Sequence, residues 1–214
     1  MSALPNESAL PNEAEEFRPT ARLPGPERRK QLLEAARQAF ASTGFHETSM
    51  NDVAKVAGVT KPVLYQRFES KRDIYRAVLE DISQRLQATV FETAAAATTP
   101  REQVEAGFSA YIDFVQEDPD GFKLLFSGAS REDGEWAEIT TGAEHSVASN
   151  IAKLLASNGV TEPHRQTLSY GIAGMAEYMV RHWQNDGPNA IPANDLLDDL
   201  TALAWVGLRG LGPT

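Results

Sequence analysis

The chain of 214 residues contains no cysteine, which excludes disulfide bonds and thiolate metal sites. The lack of cysteine also suits a reducing compartment. No run of eighteen apolar residues occurs, and the N-terminus lacks the basic and then apolar pattern of a secretory signal. We therefore expect a soluble, cytoplasmic protein that does not cross a membrane.

Signatures of catalysis are missing as well. None of the four histidines follows a glutamate at a spacing of three, so a di-iron helix bundle is not supported. His46 and Glu47 begin the H-E-x-x-H zinc motif, but Met50 stands where the second histidine belongs. Neither a G-x-S-x-G elbow nor a G-x-x-x-x-G-K phosphate loop occurs. The sequence predicts no enzyme, no metal site and no cofactor.

Strand-like alternation of apolar and polar residues is also absent, which predicts an all-α fold. A first helix is expected from about Pro26 to Thr43, because Leu32, Ala36 and Phe40 share one face and Gly44 follows. Helical spacing of apolar residues predicts further helices over about 71–93, 100–118, 122–126, 136–155, 163–187 and 194–208.

Residues 1–26 have no helical or strand period, and the hexapeptide Ser-Ala-Leu-Pro-Asn-Glu occurs twice in tandem at 2–7 and 8–13. Two copies are too few for a solenoid, so we expect a disordered arm. Arginines near its end could reach a phosphate or a minor groove. A merely solvated tail is the alternative.

Residues 49–68 have the pattern of two short helices joined by a sharp corner. Ser49 and Asp52 form a capping-box pair at the start of the first helix. Gly58 can end that helix in a left-handed conformation, and Thr60 can cap the second. Leu64 and Phe68 give the second helix an inward side, which leaves its polar side chains outward. This arrangement predicts a helix-turn-helix that reads a major groove.

The distribution of charge agrees with that prediction. The net charge is −10, yet residues 20–82 carry eleven Lys and Arg against eight Asp and Glu. The rest of the chain carries nine against twenty-two. A basic helix-turn-helix joined to an acidic second domain is typical of a DNA reader with a solvated partner domain.

The order of these parts resembles the TetR family of transcriptional regulators. The resemblance is specific over residues 27–80 and rests on Gly44–Met50, Asp52–Ala54, Ala57–Thr60 and Leu64–Lys71. It implies an N-terminal three-helix DNA-binding domain over 27–72, followed by a helical ligand-binding and dimerisation domain over 73–214. The expected partners are double-stranded DNA, a small effector molecule and a second copy of the chain.

In similar proteins the recognition helix spans the stretch that matches Lys61–Phe68, and the positions matching Thr60, Tyr65 and Lys71 hold phosphates. Among the outward side chains, Gln66 can pair with adenine, and Lys61 and Arg67 can pair with guanine or a phosphate. Val63 can meet a thymine methyl group. The predicted DNA-binding residues are Thr48, Ser49, Thr60, Lys61, Pro62, Val63, Tyr65, Gln66, Arg67 and Lys71.

The last two long helices combine small residues with large apolar ones. Similar proteins form a four-helix dimer interface from two such helices of each subunit, and filling a monomer core is the alternative. The predicted interface residues are Met175, Tyr178, Met179, Trp183 and Trp205.

Large apolar side chains concentrate on successive helices of the second domain, where no charged pair interrupts them. They favour a long or bulky apolar effector, although such stripes also fill protein cores. The predicted lining residues are Phe108, Tyr111, Ile112, Val115, Phe122, Leu125, Phe126 and Trp136. Phe91 belongs to the same group of large apolar side chains, and Tyr170 is a possible neighbour. Residues 117–126 and 204–208 also resemble family members that sense fatty acyl-CoA.

The sequence thus predicts a homodimeric, ligand-responsive regulator, a repressor that binds a pseudo-palindromic operator. The alternative is a small-molecule or acyl-binding helical protein whose helix-turn-helix serves protein contacts.

Overall fold

The computed structural model describes residues 25–126, 134–157 and 160–209. Within these ranges the chain forms nine α-helices and one 3₁₀ turn, without a strand, which confirms the all-α prediction. The predicted N-terminal arm lies outside the described residues as far as position 24, and α1 begins at Gly25. The helices are α1 Gly25–Glu47, α2 Met50–Ala57, α3 Lys61–Tyr65, α4 Lys71–Ala96, α5 Pro100–Glu117, α6 Pro119–Leu125, α7 Gly134–Ser157, α8 His164–Asp186 and α9 Ala193–Arg209, with the 3₁₀ turn Gly187–Asn189 between α8 and α9.

The end of α1 is kinked at Gly44, whose φ of 82° lies in the region that favours glycine. The kink turns the Phe45 side chain into the core, where it is 8% exposed. Gly44 therefore marks the predicted stop, and the last turn of α1 runs in a new direction toward α2.

The two predicted caps of α2 are present, whereas Thr60 lies at the start of α3 without a side-chain capping bond. Ser49 and Asp52 form a complete capping box, and Gly58 ends α2 with φ 63°. The recognition helix α3 is shorter than predicted and ends at Tyr65. The chain tightens directly after α3, because the amides of Arg67 and Phe68 both donate to the Leu64 carbonyl, each at 2.9 Å.

One continuous apolar core joins the helix-turn-helix unit to the rest of the chain. Phe40, Leu64 and Ile74 are fully buried in it, and the core extends past Leu79 to Phe122 in the second half. The predicted domain boundary at 72/73 falls within the first turn of α4. The long helix α4 therefore belongs to both halves.

Beyond α4, the helices α5, α7 and α8 surround a common space, and α9 packs mainly against α5. α5 begins with a second complete capping box, between Thr99 and Glu102. In the part of the chain that the structure describes, no helix is long and apolar enough to cross a membrane.

Candidate DNA-binding surface and apolar cavity

The surface of α3 has the predicted orientation. Leu64 and Phe68 are 0% and 3% exposed and fix the helix to the core. Tyr65 is 47% exposed, and the Lys61 ammonium lies 5.8 Å from the centroid of its ring. Val63 is half-buried, and the other predicted base and phosphate readers of this segment are exposed: Thr60, Lys61, Pro62, Gln66 and Arg67.

The exposed side chains of α3 can meet DNA through two kinds of contact. Gln66 offers both a donor and an acceptor to an adenine edge, and the Arg67 guanidinium can bind a guanine or a phosphate. Arg67 lies beside Gly25 at the start of α1, so the basic surface continues from α3 onto α1. Thr60 begins α3 without a side-chain capping bond, and its hydroxyl is exposed.

Lys71 has a structural role besides the predicted phosphate contact. Its ammonium donates to the carbonyls of Phe45 at 2.8 Å and His46 at 3.1 Å. It also lies 4.4 Å from the centroid of the Phe45 ring. The lysine therefore fastens the start of α4 to the kinked end of α1, because carbonyls at a helix C-terminus attract a cation.

The prediction that Thr48 contacts a phosphate is wrong. Thr48 is 2% exposed, and its hydroxyl bonds to the Gly44 carbonyl at 2.6 Å and the Thr43 hydroxyl at 2.8 Å. A buried hydroxyl with such partners holds the turn together and is not available to DNA.

Ser49 is exposed, but the Asp52 carboxylate already occupies the start of α2. The Asp52 carboxylate accepts from the Ser49 amide at 2.8 Å and from its hydroxyl at 2.6 Å. These hydrogen bonds, led by that of the hydroxyl, lower the pKa of Asp52. A phosphate at Ser49 would have to compete with this carboxylate, so the contact stays a prediction.

A cavity of about 900 Å³ lies between α4, α5, α7 and α8. Of the eight predicted lining residues, Phe108, Tyr111 and Phe126 line it. The other five do not line it and instead belong to the buried core: Ile112, Val115, Phe122, Leu125 and Trp136.

The largest error concerns Trp136. It is 1% exposed, and its ring centroid lies 4.3 Å from that of Phe45 and 4.7 Å from that of Tyr75. The Arg72 guanidinium stacks over it at 4.8 Å. Trp136 thus joins α7 to the helix-turn-helix unit, and its apolar character reflects that junction and not a ligand.

Much of the lining was missed because all four surrounding helices supply it, and α4 and α7 contribute residues that the prediction did not include. On α7 the spacing of Val147, Ile151 and Leu154 shows an apolar stripe, yet the stripe does not reveal that it faces a cavity. Phe91, which belongs to the same predicted group of apolar side chains, and Tyr170, expected as a neighbour, both line the space. Further apolar lining comes from Leu86, Val90, Val104, Leu168, Ile172 and Trp205.

A few polar groups interrupt the apolar lining. Glu177 is paired with Arg181 at 3.2 Å, and the Tyr170 hydroxyl bonds to Nδ1 of His145. At one end of the cavity, the exposed Lys153 donates to Oδ1 of the lining residue Asn150 at 3.2 Å. The same ammonium lies 5.8 Å from the centroid of the Phe91 ring. A cation therefore stands at the rim of an apolar space.

The five predicted interface residues differ in their surroundings. Tyr178 is 63% exposed. Trp183 donates to the Ile191 carbonyl at 2.7 Å, and Trp205 lines the cavity. Met175 and Met179 are half-buried against the core. Two residues outside the predicted set, Leu203 and Val206 of α9, are 56% and 69% exposed.

Sequence comparison agrees with this architecture. The profile described as "Bacterial regulatory proteins, tetR family" matches residues 32–78. The transcriptional activator FasR of Mycolicibacterium smegmatis is 32% identical over 189 residues, which cover 87% of this chain and 85% of the relative. The chain belongs to the tetR family of bacterial regulatory proteins; it is a transcriptional regulator and not an enzyme.

Solved structures give the same fold. A TetR-like regulator from Rhodococcus sp. RHA1 is 26% identical, with a TM-score of 0.72 over 88% of this chain and 100% of that one. The fatty acid degradation regulator FadR of Bacillus halodurans is 19% identical, with a TM-score of 0.74 over 88% of this chain and 99% of that one. The resemblance predicted from residues 27–80 thus extends over most of the chain as a shared fold.

Proposed function

We propose that the protein binds a pseudo-palindromic operator as a homodimer and that an apolar effector in the cavity controls this binding. The observation that carries the proposal is the position of the cavity against α4. Leu86, Val90 and Phe91 line the cavity from α4, and the same helix begins at Lys71 beside the recognition unit. A ligand that shifts α4 therefore shifts the DNA-binding surface.

The shape of the cavity supports an elongated effector. The lining residues of α7 run from Ala143 to Leu155 and those of α8 from His164 to Glu177. At a rise of about 1.5 Å per residue, each stretch is roughly 18–20 Å long. An apolar chain with an anionic head would place the chain along this space and the head near Lys153. Long-chain acyl-CoA has both parts, and we propose it as the effector.

The dimer supplies the spacing that an operator requires. Two recognition helices reach successive major grooves when they lie about 34–36 Å apart. An effector that changes this separation lowers operator affinity, because both halves can no longer contact the DNA together. The exposed apolar side chains of α8 and α9 support association through that face.

The direction of regulation depends on where the operator lies. The same DNA-binding event represses when it blocks a promoter and activates when it assists polymerase. We propose repression, although the FasR relative is named as an activator. A reporter gene driven by the protein's own promoter, with and without the regulator, decides between the two directions.

DNA binding is tested by fluorescence anisotropy with duplexes from upstream of the gene. We expect sequence-selective binding that weakens steeply with salt, because several phosphates are neutralised. Lys61→Ala should reduce the slope of log affinity against log salt by about 0.9. Binding that ignores both sequence and salt would favour the acyl-binding protein whose helix-turn-helix contacts other proteins.

Effector binding is tested by native mass spectrometry and calorimetry with palmitoyl-CoA, palmitate and free CoA. We expect saturable binding of palmitoyl-CoA and none of free CoA, because the chain fills the cavity. Lys153→Glu should weaken palmitoyl-CoA binding, and Lys123→Glu, at an exposed position on α6, serves as the charge-matched control. Equal affinity for both CoA compounds would contradict an apolar site.

A further inference from the structure

A buried carboxylate connects the DNA-binding unit to the helices around the cavity. Asp118 lies between α5 and α6 and is 7% exposed. Its Oδ1 atom is 2.5 Å from an Arg37 nitrogen on α1, and its Oδ2 atom is 2.9 Å from an Arg85 nitrogen on α4. One carboxylate thus joins three parts of the chain that are distant in sequence.

Asp118 also controls the start of α6. Its Oδ1 atom accepts from the Gly121 amide at 2.8 Å, which caps the helix. A Cβ atom at position 121 would lie 2.4 Å from Oδ2 of Asp118, so glycine is needed for this close approach. The carboxylate and α6 therefore move as one body.

Each of the two arginines pairs with Asp118 and also with a carboxylate of its own helix. Arg37 pairs with Glu34 at 2.6 Å in α1, and Arg85 pairs with Asp81 at 2.9 Å in α4. These pairs lie within single helices and orient each guanidinium. By contrast, the contacts to Asp118 are the ones that cross between helices and are the more buried.

The other end of α6 reaches the cavity. Phe126, directly after α6, lines the cavity and lies 4.8 Å, centroid to centroid, from the Phe122 ring. Phe122 in turn meets Tyr111, another lining residue, at 6.0 Å. The seven residues of α6 span roughly 10 Å, so a displacement at Phe126 is transmitted to Asp118 by a short, rigid helix.

We propose that Asp118 is the positioning residue through which the cavity controls the DNA-binding unit. A ligand that reaches Phe126 displaces α6, and Asp118 then releases Arg37 and with it α1. The ion-paired arrangement is the one that binds the operator. This inference rests on the proposed function, because it requires a ligand in the cavity that opposes DNA binding.

The test is Asp118→Asn in the full-length protein, since asparagine keeps the cap and removes the charge. We expect operator affinity to fall about tenfold and palmitoyl-CoA affinity to rise by a similar factor, because coupling between two sites is reciprocal. Damage to the structure alone would weaken both. Equal weakening of both affinities, or no change in either, overturns the proposal.

Arg37→Gln should reproduce these opposite changes. The double variant should change neither affinity further than Asp118→Asn does, because both substitutions remove the same contact. Asp113→Asn removes an equivalent charge from an exposed position of α5, where the carboxylate accepts from Ser109, and we expect it to change either affinity less than twofold. Additive effects, or an equal effect of Asp113→Asn, would contradict a specific contact between Arg37 and Asp118.

The two proposals fail in different ways. If the unaltered protein neither binds the operator nor responds to palmitoyl-CoA, the proposed function is wrong. The proposed role of Asp118 is then wrong as well, because it rests on that function. If the unaltered protein responds and Asp118→Asn responds by the same factor, the role of Asp118 alone is wrong.

Discussion

Lys71 shows how one side chain can hold the fold together and still be available for a proposed DNA contact. Two of its ammonium protons are directed to the carbonyls of Phe45 and His46, and an ammonium has three to donate. A phosphate could take the third. The loss of Lys71 therefore affects stability as well as binding, which distinguishes it from a lysine that only meets DNA.

Lys71→Ala should lower the free energy of unfolding by about 1–3 kcal/mol, because it removes hydrogen bonds from a charged donor to two carbonyls. Lys61→Ala is the matched control, since the exposed Lys61 contacts only the face of Tyr65 in the described structure. Urea denaturation measures both variants. Equal stability of the two would show that the contacts of Lys71 contribute nothing to the fold.

The capping box at α2 predicts a dependence on pH. Hydrogen bonds from Ser49 lower the pKa of Asp52, so the ionised carboxylate stabilises the fold at neutral pH. That contribution is lost as the pH falls through the lowered pKa. Ser49→Ala should therefore be destabilising at neutral pH, and its deficit should shrink in acid. Ser42→Ala, on the exposed side of α1, should show no such trend in denaturation series at both pH values.

At the scale of elements, helix caps were predictable and the extent of the recognition helix was not. Ser49 and Gly58 are local signals, since a cap needs only its own few neighbours. The end of α3 at Tyr65 depends on how the chain tightens around the Leu64 carbonyl. The spacing of Leu64 and Phe68 predicts their inward side but not this change in backbone hydrogen bonding, so it does not reveal where α3 ends.

The candidate site residues likewise include some that the sequence predicts and some that it does not. The outward face of α3 follows from Leu64 and Phe68, because two buried positions orient a short helix. An apolar stripe, by contrast, does not reveal which neighbour covers it. Phe108 faces a cavity, whereas Ile112, one turn later on the same helix, is covered by other side chains. Whether an apolar stripe faces the cavity depends on how the neighbouring helices, such as α4 and α7, are arranged.

A substitution that fills the cavity tests this arrangement. Ala173→Phe should reduce palmitoyl-CoA affinity at least tenfold, since Ala173 lines the cavity and the added ring occupies ligand volume. Ala156→Phe adds the same ring at an exposed position of α7 and should leave affinity unchanged. Calorimetry measures both. Undiminished binding in Ala173→Phe would place the ligand elsewhere.

At the scale of the whole molecule, exposed apolar side chains gather on α8 and α9. Val206→Glu should convert the proposed dimer to a monomer and abolish tight operator binding, because a buried unpaired charge opposes association. Val56→Glu adds the same charge at an exposed valine of α2 and should stay dimeric. Light scattering after size-exclusion chromatography gives the mass of each. A dimeric Val206→Glu protein would place the interface on another face.

The length of α4 sets how small an effector-driven movement can be. Its 26 residues make a rod of roughly 39 Å, with the cavity along its far half and the recognition unit at its near end. A tilt of about 5° about one end displaces the other by roughly 3 Å. That is close to the rise of about 3.4 Å per nucleotide along the axis of the DNA. Under the proposed function, a tilt of this size would therefore shift each recognition helix by about one base-pair step along the DNA.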